Sequence, residues 1–211
     1  MDALAFNKIS YGLFVLTTWE ENKVNACIVN TVMQVTVAPN AIAVAVNKDN
    51  LTCDMIKNTK EFTVSVLSEK ATFDIFKRFG LQSGRDVDKF CDYEYVKKNE
   101  LGGSYVTEAT NAYMHGKVKE MVDLGTHIMF VADVCDAQVL SDEPSMTYSY
   151  YHENVKPKPS IVADGASEGD KASGKWVCKI CGYVHEDENL PEDFICPWCK
   201  HPASDFEYVT A

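Results

Sequence analysis

Hydrophobic and polar positions follow a period near two over most of the first 150 residues. Residues 11–18 (Tyr-Gly-Leu-Phe-Val-Leu-Thr-Thr) are β-branched and aromatic and predict a strand. Residues 24–37 are rich in Val, Ile and Thr, interrupted by Asn25, Asn30 and Gln34. A continuous apolar run at 41–46, entered through Pro39-Asn40, predicts a strand buried on both faces. Residues 62–67 alternate strictly, and further strands are predicted at 118–122 and 127–134. Two short stretches switch to helical spacing. Residues 51–57 place Leu51, Met55 and Ile56 on one face, and 71–79 group Ile75, Phe76 and Phe79. Many short strands, few helices and no βαβ alternation predict a mainly β barrel for residues 1–152.

The pattern ends at 153. Residues 153–174 carry Lys156-Pro157-Lys158-Pro159 and then a run of Gly, Ser, Ala and charge, the composition of a flexible linker. The remaining stretch, 175–211, is a 37-residue segment. Chains below about 40 residues need a metal, a disulfide or a partner to fold. No internal repeat is present.

Cysteine placement supplies that need. Of eight cysteines, Cys27, Cys53, Cys91 and Cys135 stand singly and read as small buried hydrophobes. The other four form Cys178-x-x-Cys181 and Cys196-x-x-Cys199. A two-residue gap lets both thiolates of a loop point at one ion, and two such loops complete a tetrahedral shell of sulfur. Zinc and a single iron both suit it.

Composition narrows the rest. Apolar residues make up 46%, enough for a core. No run reaches the roughly 18–20 apolar residues of a membrane helix, and the N-terminus lacks a basic then apolar leader. A cytoplasmic protein that does not enter membranes is expected. The net charge of −11, without a basic cluster, argues against nucleic acid as a partner and suits docking on a basic protein. No GxGxxG, GxxxxGK[ST], Gly-x-Ser-x-Gly or His-Glu-x-x-His is present.

The C-terminal segment resembles rubredoxin. The resemblance rests on Trp176, two residues before the first Cys, on Cys181-Gly182-Tyr183 and Cys196-Pro197-Trp198-Cys199, and on Phe194, Trp198 and Phe206 as an aromatic core. It departs from the family in two respects. The gap between the Cys pairs is 14 residues, as in shortened forms appended to larger redox proteins, and Lys200 replaces the usual Gly. A left-handed Lys would cost roughly 1–2 kcal/mol, small beside the roughly 10 kcal/mol that structural metal binding supplies. The resemblance favours iron, which changes valence, over zinc, which does not.

Residues 1–152 resemble the flavin reductase-like family of split-barrel FMN proteins. The resemblance rests on 25–31 (Asn-Ala-Cys-Ile-Val-Asn-Thr), Val37-Ala38-Pro39-Asn40, 47–52 (Asn-Lys-Asp-Asn-Leu-Thr), Phe79-Gly80, Gly84, Asp88-Lys89-Phe90 and Gly125-Thr126-His127. It implies FMN contacts from Asn25, Ala26, Cys27, Ile28, Asn30 and Thr31 at the ring edge. Asn47, Lys48, Asn50, Leu51 and Thr52 would lie at a phosphate-binding helix start, with Phe79, Gly80 and Lys89 beside them. The physical reading agrees, because a helix N-terminus offers free N–H groups to a phosphate. The plainer alternatives are that Asn50 or Thr52 caps the helix and that Lys89 is a solvated lysine. His127, at the start of a strand, is expected near the flavin or at a dimer contact, with a satisfied structural histidine as the alternative. Tyr148, Tyr150, Tyr151 and His152, just before the linker, are expected to cover the flavin or a partner subunit, with an aromatic core as the alternative.

Together the two parts resemble the high-molecular-weight rubredoxins. The resemblance implies an electron-transfer flavoprotein, homodimeric, passing reducing equivalents from NAD(P)H or a reductase through FMN and iron to a flavodiiron oxygen or nitric oxide reductase. Cofactors would carry the chemistry, so no catalytic acid, base or nucleophile is expected. The alternative is an NAD(P)H:flavin or ferric reductase with a structural zinc ribbon.

Overall fold

A computed structural model describes residues 5, 8–21, 23–157, 174–179, 183–185, 187, 189–196 and 202–209. Most of the expected linker, with Cys181, Gly182, Pro197, Trp198, Cys199 and Lys200, lies outside the described residues. The chain divides into two compact units, Met1–Val155 and Lys156–Ala211.

The first unit is mainly β. Its strands are β1 (Phe14–Glu20), β2 (Lys23–Val29), β3 (Met33–Val37), β4 (Asn40–Asn47), β5 (Glu61–Leu67), β6 (Val96–Lys98), β7 (Ser104–Val106), β8 (Thr110–Asp123) and β9 (His127–Val139). Helix α1 (Leu51–Thr59) joins β4 to β5, α2 (Phe73–Gly80) follows β5, and the short α3 (Tyr148–Tyr150) comes after β9. Among the described residues, seven strands form one antiparallel sheet in the order β2-β1-β5-β8-β9-β4-β3.

Strand alternation gives this sheet two apolar faces. On one, Leu16, Cys27, Val44, Val46, Phe62, Val64 and Phe130 pack with Cys53 and Ile56 of α1. Residues of β2 and β4, far apart in strand order, share this cluster, so the sheet curls on itself around α1. On the other face, Val15, Ala26 and Leu67 pack with Ile75, Phe76 and Phe79 of α2. Tyr151 joins that second core through Phe76, their ring centroids 4.4 Å apart.

The Val-, Ile- and Thr-rich stretch 24–37 forms two strands, β2 and β3. The break follows from Thr31, whose hydroxyl donates to Ala45 O (2.8 Å) and accepts from Ala45 N (3.1 Å). This clasp turns the chain so that β3 pairs with β4 instead of extending β2. The β8–β9 hairpin is longer than 118–134, and the β6–β7 ribbon is an addition.

The second unit holds a three-stranded sheet, β11 (Val184–His185), β10 (Lys175–Cys178) and β12 (Phe206–Val209), in that order. Phe194 and Phe206 meet edge to face at 5.4 Å, and Trp176 lies 5.2 Å from Tyr208.

Candidate functional site

The predicted flavin contacts converge where β2 meets the start of α1. Along β2, Cys27 points to the α1 core and Ala26 to the α2 core. Asn25 is buried, and its Nδ2 donates to Thr52 Oγ1 at 2.9 Å. Asn50 is the N-cap of α1 with extended backbone (φ −73°, ψ 131°), yet its side chain makes no capping bond. Cys53 N donates to the Asn50 carbonyl at 3.0 Å, and the Asn50 side chain takes none of the first-turn N–H groups. Gly84 packs so tightly on Asn25 that an added Cβ would stand 2.1 Å from its Oδ1. An added Cβ at Gly80 would stand 3.2 Å from Ile28 Cγ1.

Lys89 completes the cluster and is no solvated lysine. It is 4% exposed, and its Nζ donates to Ala26 O at 2.9 Å and Phe79 O at 3.0 Å. Phe79 O belongs to the last turn of α2, whose negative dipole end suits an ammonium. Burial pulls the Lys89 pKa down from the ordinary lysine value, and nearby Cys27 opposes this weakly. An ammonium has three donors, and two are used; among the described residues no carboxylate pairs with it. Burial likewise pushes the Cys27 thiol up, against the smaller pulls of Thr52 and Lys89, so Cys27 stays protonated as a packing group. Cys53 behaves in the same way, burial being its largest cause.

Other predicted contacts are engaged elsewhere. Lys48 Nζ pairs with both carboxylate oxygens of Asp123 (2.6 and 2.8 Å), and its backbone N–H bonds Thr126 O, tying β4 to the β8–β9 turn. Asn47 Oδ1 accepts from Asp49 N at 2.9 Å. Thr31 is spent on Ala45. Asn30 and Leu51 are half-buried, Asn30 just after β2 and Leu51 at the first position of α1. His127 opens β9 opposite Asn47, its Nδ1 2.9 Å from Thr126 Oγ1. Arg78 carries no local sequence signal. Its Nη1 donates to Lys89 O (3.0 Å) and Cys91 O (3.3 Å), contacts that only the folded chain creates.

A cleft of about 390 Å³ opens at Gly84, lined among others by Lys23, Arg85 and Phe90. A second, apolar cleft of about 400 Å³ is lined by Phe14, Met33, Ile42, Met114 and Val134.

In the second unit, Cys178 and Cys196 are both buried. Each opens a segment pinched at its base. Cys178 N donates to Tyr183 O at 2.8 Å, and Ile195 bridges Pro202. Each pinched segment spans one Cys-x-x-Cys sequence.

The donor sets fit the groups that the sequence implies. An uncapped helix start, the Thr52 hydroxyl and a buried ammonium with a spare N–H suit a phosphate-bearing flavin. Buried thiols at the mouths of two pinched loops suit a thiolate-bound metal.

Comparison with known proteins identifies the family. Residues 6–158 match the flavin reductase like domain, and 176–207 match the rubrerythrin, rubredoxin-like domain. The high molecular weight rubredoxin of Moorella thermoacetica is 36% identical over 230 aligned residues, which cover 99% of this chain and all of that protein. A ferric-chelate reductase (NAD(P)H) of Archaeoglobus fulgidus is 39% identical, covering 77% of this chain and 96% of that one. The solved NADH:FAD oxidoreductase of Streptomyces globisporus C-1027 shares the fold at a TM-score of 0.60 and 21% identity, covering 68% of this chain and 84% of its own. Its low identity bears on fold alone. The chain therefore belongs to the flavin reductase-like family, as a flavin-dependent oxidoreductase of the high-molecular-weight rubredoxin type, whose electron transfer combines a flavin domain with a rubredoxin-like one.

Proposed function

We propose that the chain relays electrons from NAD(P)H, or from a reductase that uses it, to a redox protein, through FMN in residues 1–152 and one iron in 175–211, joined by the linker 153–174. The acceptor that the family resemblance favours is a flavodiiron oxygen or nitric oxide reductase in the cytoplasm. When bound, a flavin supplies paired-electron uptake with single-electron release, and a thiolate iron supplies single-electron carriage. Asn50, Thr52, Lys89 and the α1 start would hold the phosphate, and β2 would line the ring edge. Cys178, Cys181, Cys196 and Cys199 would hold the metal. A homodimer is proposed, its contact including the exposed edge strand β3. The observation that carries the reading is one chain with both a helix start that its N-cap side chain leaves uncapped, in the same cluster as a buried ammonium, and a pair of buried thiols at pinched loops.

Anaerobic titration of the holoprotein with NAD(P)H, alone or with a reductase, tests it. Flavin and ferric-thiolate absorption should both bleach in the full chain. In Cys196→Ser the flavin band alone should bleach, and reduction of an added acceptor protein should be lost. Undiminished transfer by Cys196→Ser would refute the relay.

A second reading, a ferric-chelate or flavin reductase with a zinc-bearing tail, draws on the Archaeoglobus relative, nearly all of whose length aligns within 77% of this chain. Under it, Cys196→Ser leaves all turnover intact.

A further inference from the structure

The segment between α2 and β6, residues 81–95, is built of turns and irregular backbone. Local turn bonds (Val87 N to Ser83 O, 3.1 Å; Cys91 N to Asp88 O, 3.3 Å) and tertiary hydrogen bonds together set its course, and two of the tertiary bonds form a reciprocal clasp. The side chain of residue 78 grips the backbone of residue 89: Arg78 Nη1 to Lys89 O, 3.0 Å, with a second bond to Cys91 O, 3.3 Å. The side chain of residue 89 grips the backbone of residue 79: Lys89 Nζ to Phe79 O, 3.0 Å. Arg78 also lies over the Tyr93 ring, its Cζ 5.0 Å from the centroid. Tyr93 is fixed in turn by its hydroxyl on Glu108 Oε2 (2.7 Å) and its edge-on contact with Phe79 (5.3 Å).

We propose that Arg78 is a positioning residue for flavin phosphate recognition: it holds the Lys89 backbone so that the buried ammonium keeps its third N–H on the phosphate. This rests on the phosphate role proposed for Lys89. The choice of residue is physical. A guanidinium is a flat fork that bonds two carbonyls while stacking on an aromatic ring, and a lysine in its place is a point charge that does neither well. Lys89 has four rotatable side-chain bonds, and burying it in one rotamer costs entropy. Anchoring its backbone from outside and its ammonium from inside fixes both ends of that chain. Arg78 itself bonds protein carbonyls, so its effect on a ligand is indirect.

The discriminating probes are FMN and riboflavin, which share the ring and ribityl chain and differ in the phosphate. Affinities would be measured by flavin fluorescence on the full chain after flavin removal, for the parent, Lys89→Met, Arg78→Gln, Arg78→Lys and the Arg78→Gln/Lys89→Met pair. Loss of one charge-assisted contact corresponds to a weakening on the order of tenfold. Lys89→Met should weaken FMN by at least that and leave riboflavin nearly unchanged. Arg78→Gln and Arg78→Lys should each weaken FMN selectively, and the double variant should bind FMN no worse than Lys89→Met alone, because both changes remove one unit. Should Arg78→Gln fail to fold, Arg78→Lys carries the comparison. Equal losses for FMN and riboflavin, additive losses in the double variant, or full recovery in Arg78→Lys would overturn the positioning role and leave the phosphate site standing. An FMN affinity unmoved by Lys89→Met would instead overturn the phosphate site itself.

Discussion

His115 lies on β8, fully buried, with Trp19 edge-on at 5.3 Å. Its Nδ1 is 3.1 Å from Asn99 Nδ2, which can only donate, so the ring proton sits on Nε2. That nitrogen stands 3.4 Å from Glu61 Oε2 but forms no aligned hydrogen bond among the described residues. Gly103 is required here, since a Cβ would stand 2.7 Å from Nδ1. Burial holds the His115 pKa below the ordinary histidine value, Glu61 and Asp136 opposing and Lys117 reinforcing. The unfolded chain takes up a proton near pH ~6.5, the folded one only at lower pH, so this contribution is complete above ~6.5 and declines as pH falls. Chemical denaturation at pH 7.5 and 5 should show stability lost on acidification. His115→Asn, whose Oδ1 can still accept from Asn99, should flatten that dependence. An unchanged slope would remove His115 as the cause.

At the scale of elements, β3 stands apart. Met33, Val35 and Val37 of this edge strand, which carries a bulge between Gln34 and Thr36, are 58%, 47% and 73% exposed. An unpaired apolar edge invites association unless a specific contact covers it. In the proposed homodimer β3 is that contact, and Val35→Lys with Val37→Lys should weaken dimerisation at least tenfold by sedimentation equilibrium. An unaltered dimer would place the interface elsewhere. Elements with strong internal periodicity were legible in the sequence: α1, β5 and the apolar run of β4 appear where the pattern put them, within a residue or two. The β6–β7 ribbon was not. Its Val96-Lys97-Lys98 is short and polar, and its place comes from distant partners, Val106 N on Ser65 Oγ and Thr63 Oγ1 on Ser104 O. The site shows the same division. The proposed flavin residues of β2 and α1 lie in the short segments that carry the family resemblance. Lys89 owes its burial, and Arg78 its role, to contacts 10 or more residues away.

At the scale of the whole molecule, a core-rich β unit is followed by one too small to fold readily on apolar burial alone. The second unit buries few large side chains among its described residues, chiefly Val177 and Phe206 with the thiols of Cys178 and Cys196. Among the described residues no helix is long and apolar enough to cross a membrane, and the net charge of −11 favours a basic docking partner whose affinity falls with added salt. All of this converges on electrons moving between two cofactors in one polypeptide. The most direct test is the visible spectrum of the purified full chain, with flavin, iron and zinc quantified per polypeptide. The relay predicts one flavin and one iron per chain, with ferric-thiolate absorption that bleaches on reduction. Stoichiometric zinc with no ferric-thiolate band, or a chain that holds no flavin, would contradict it.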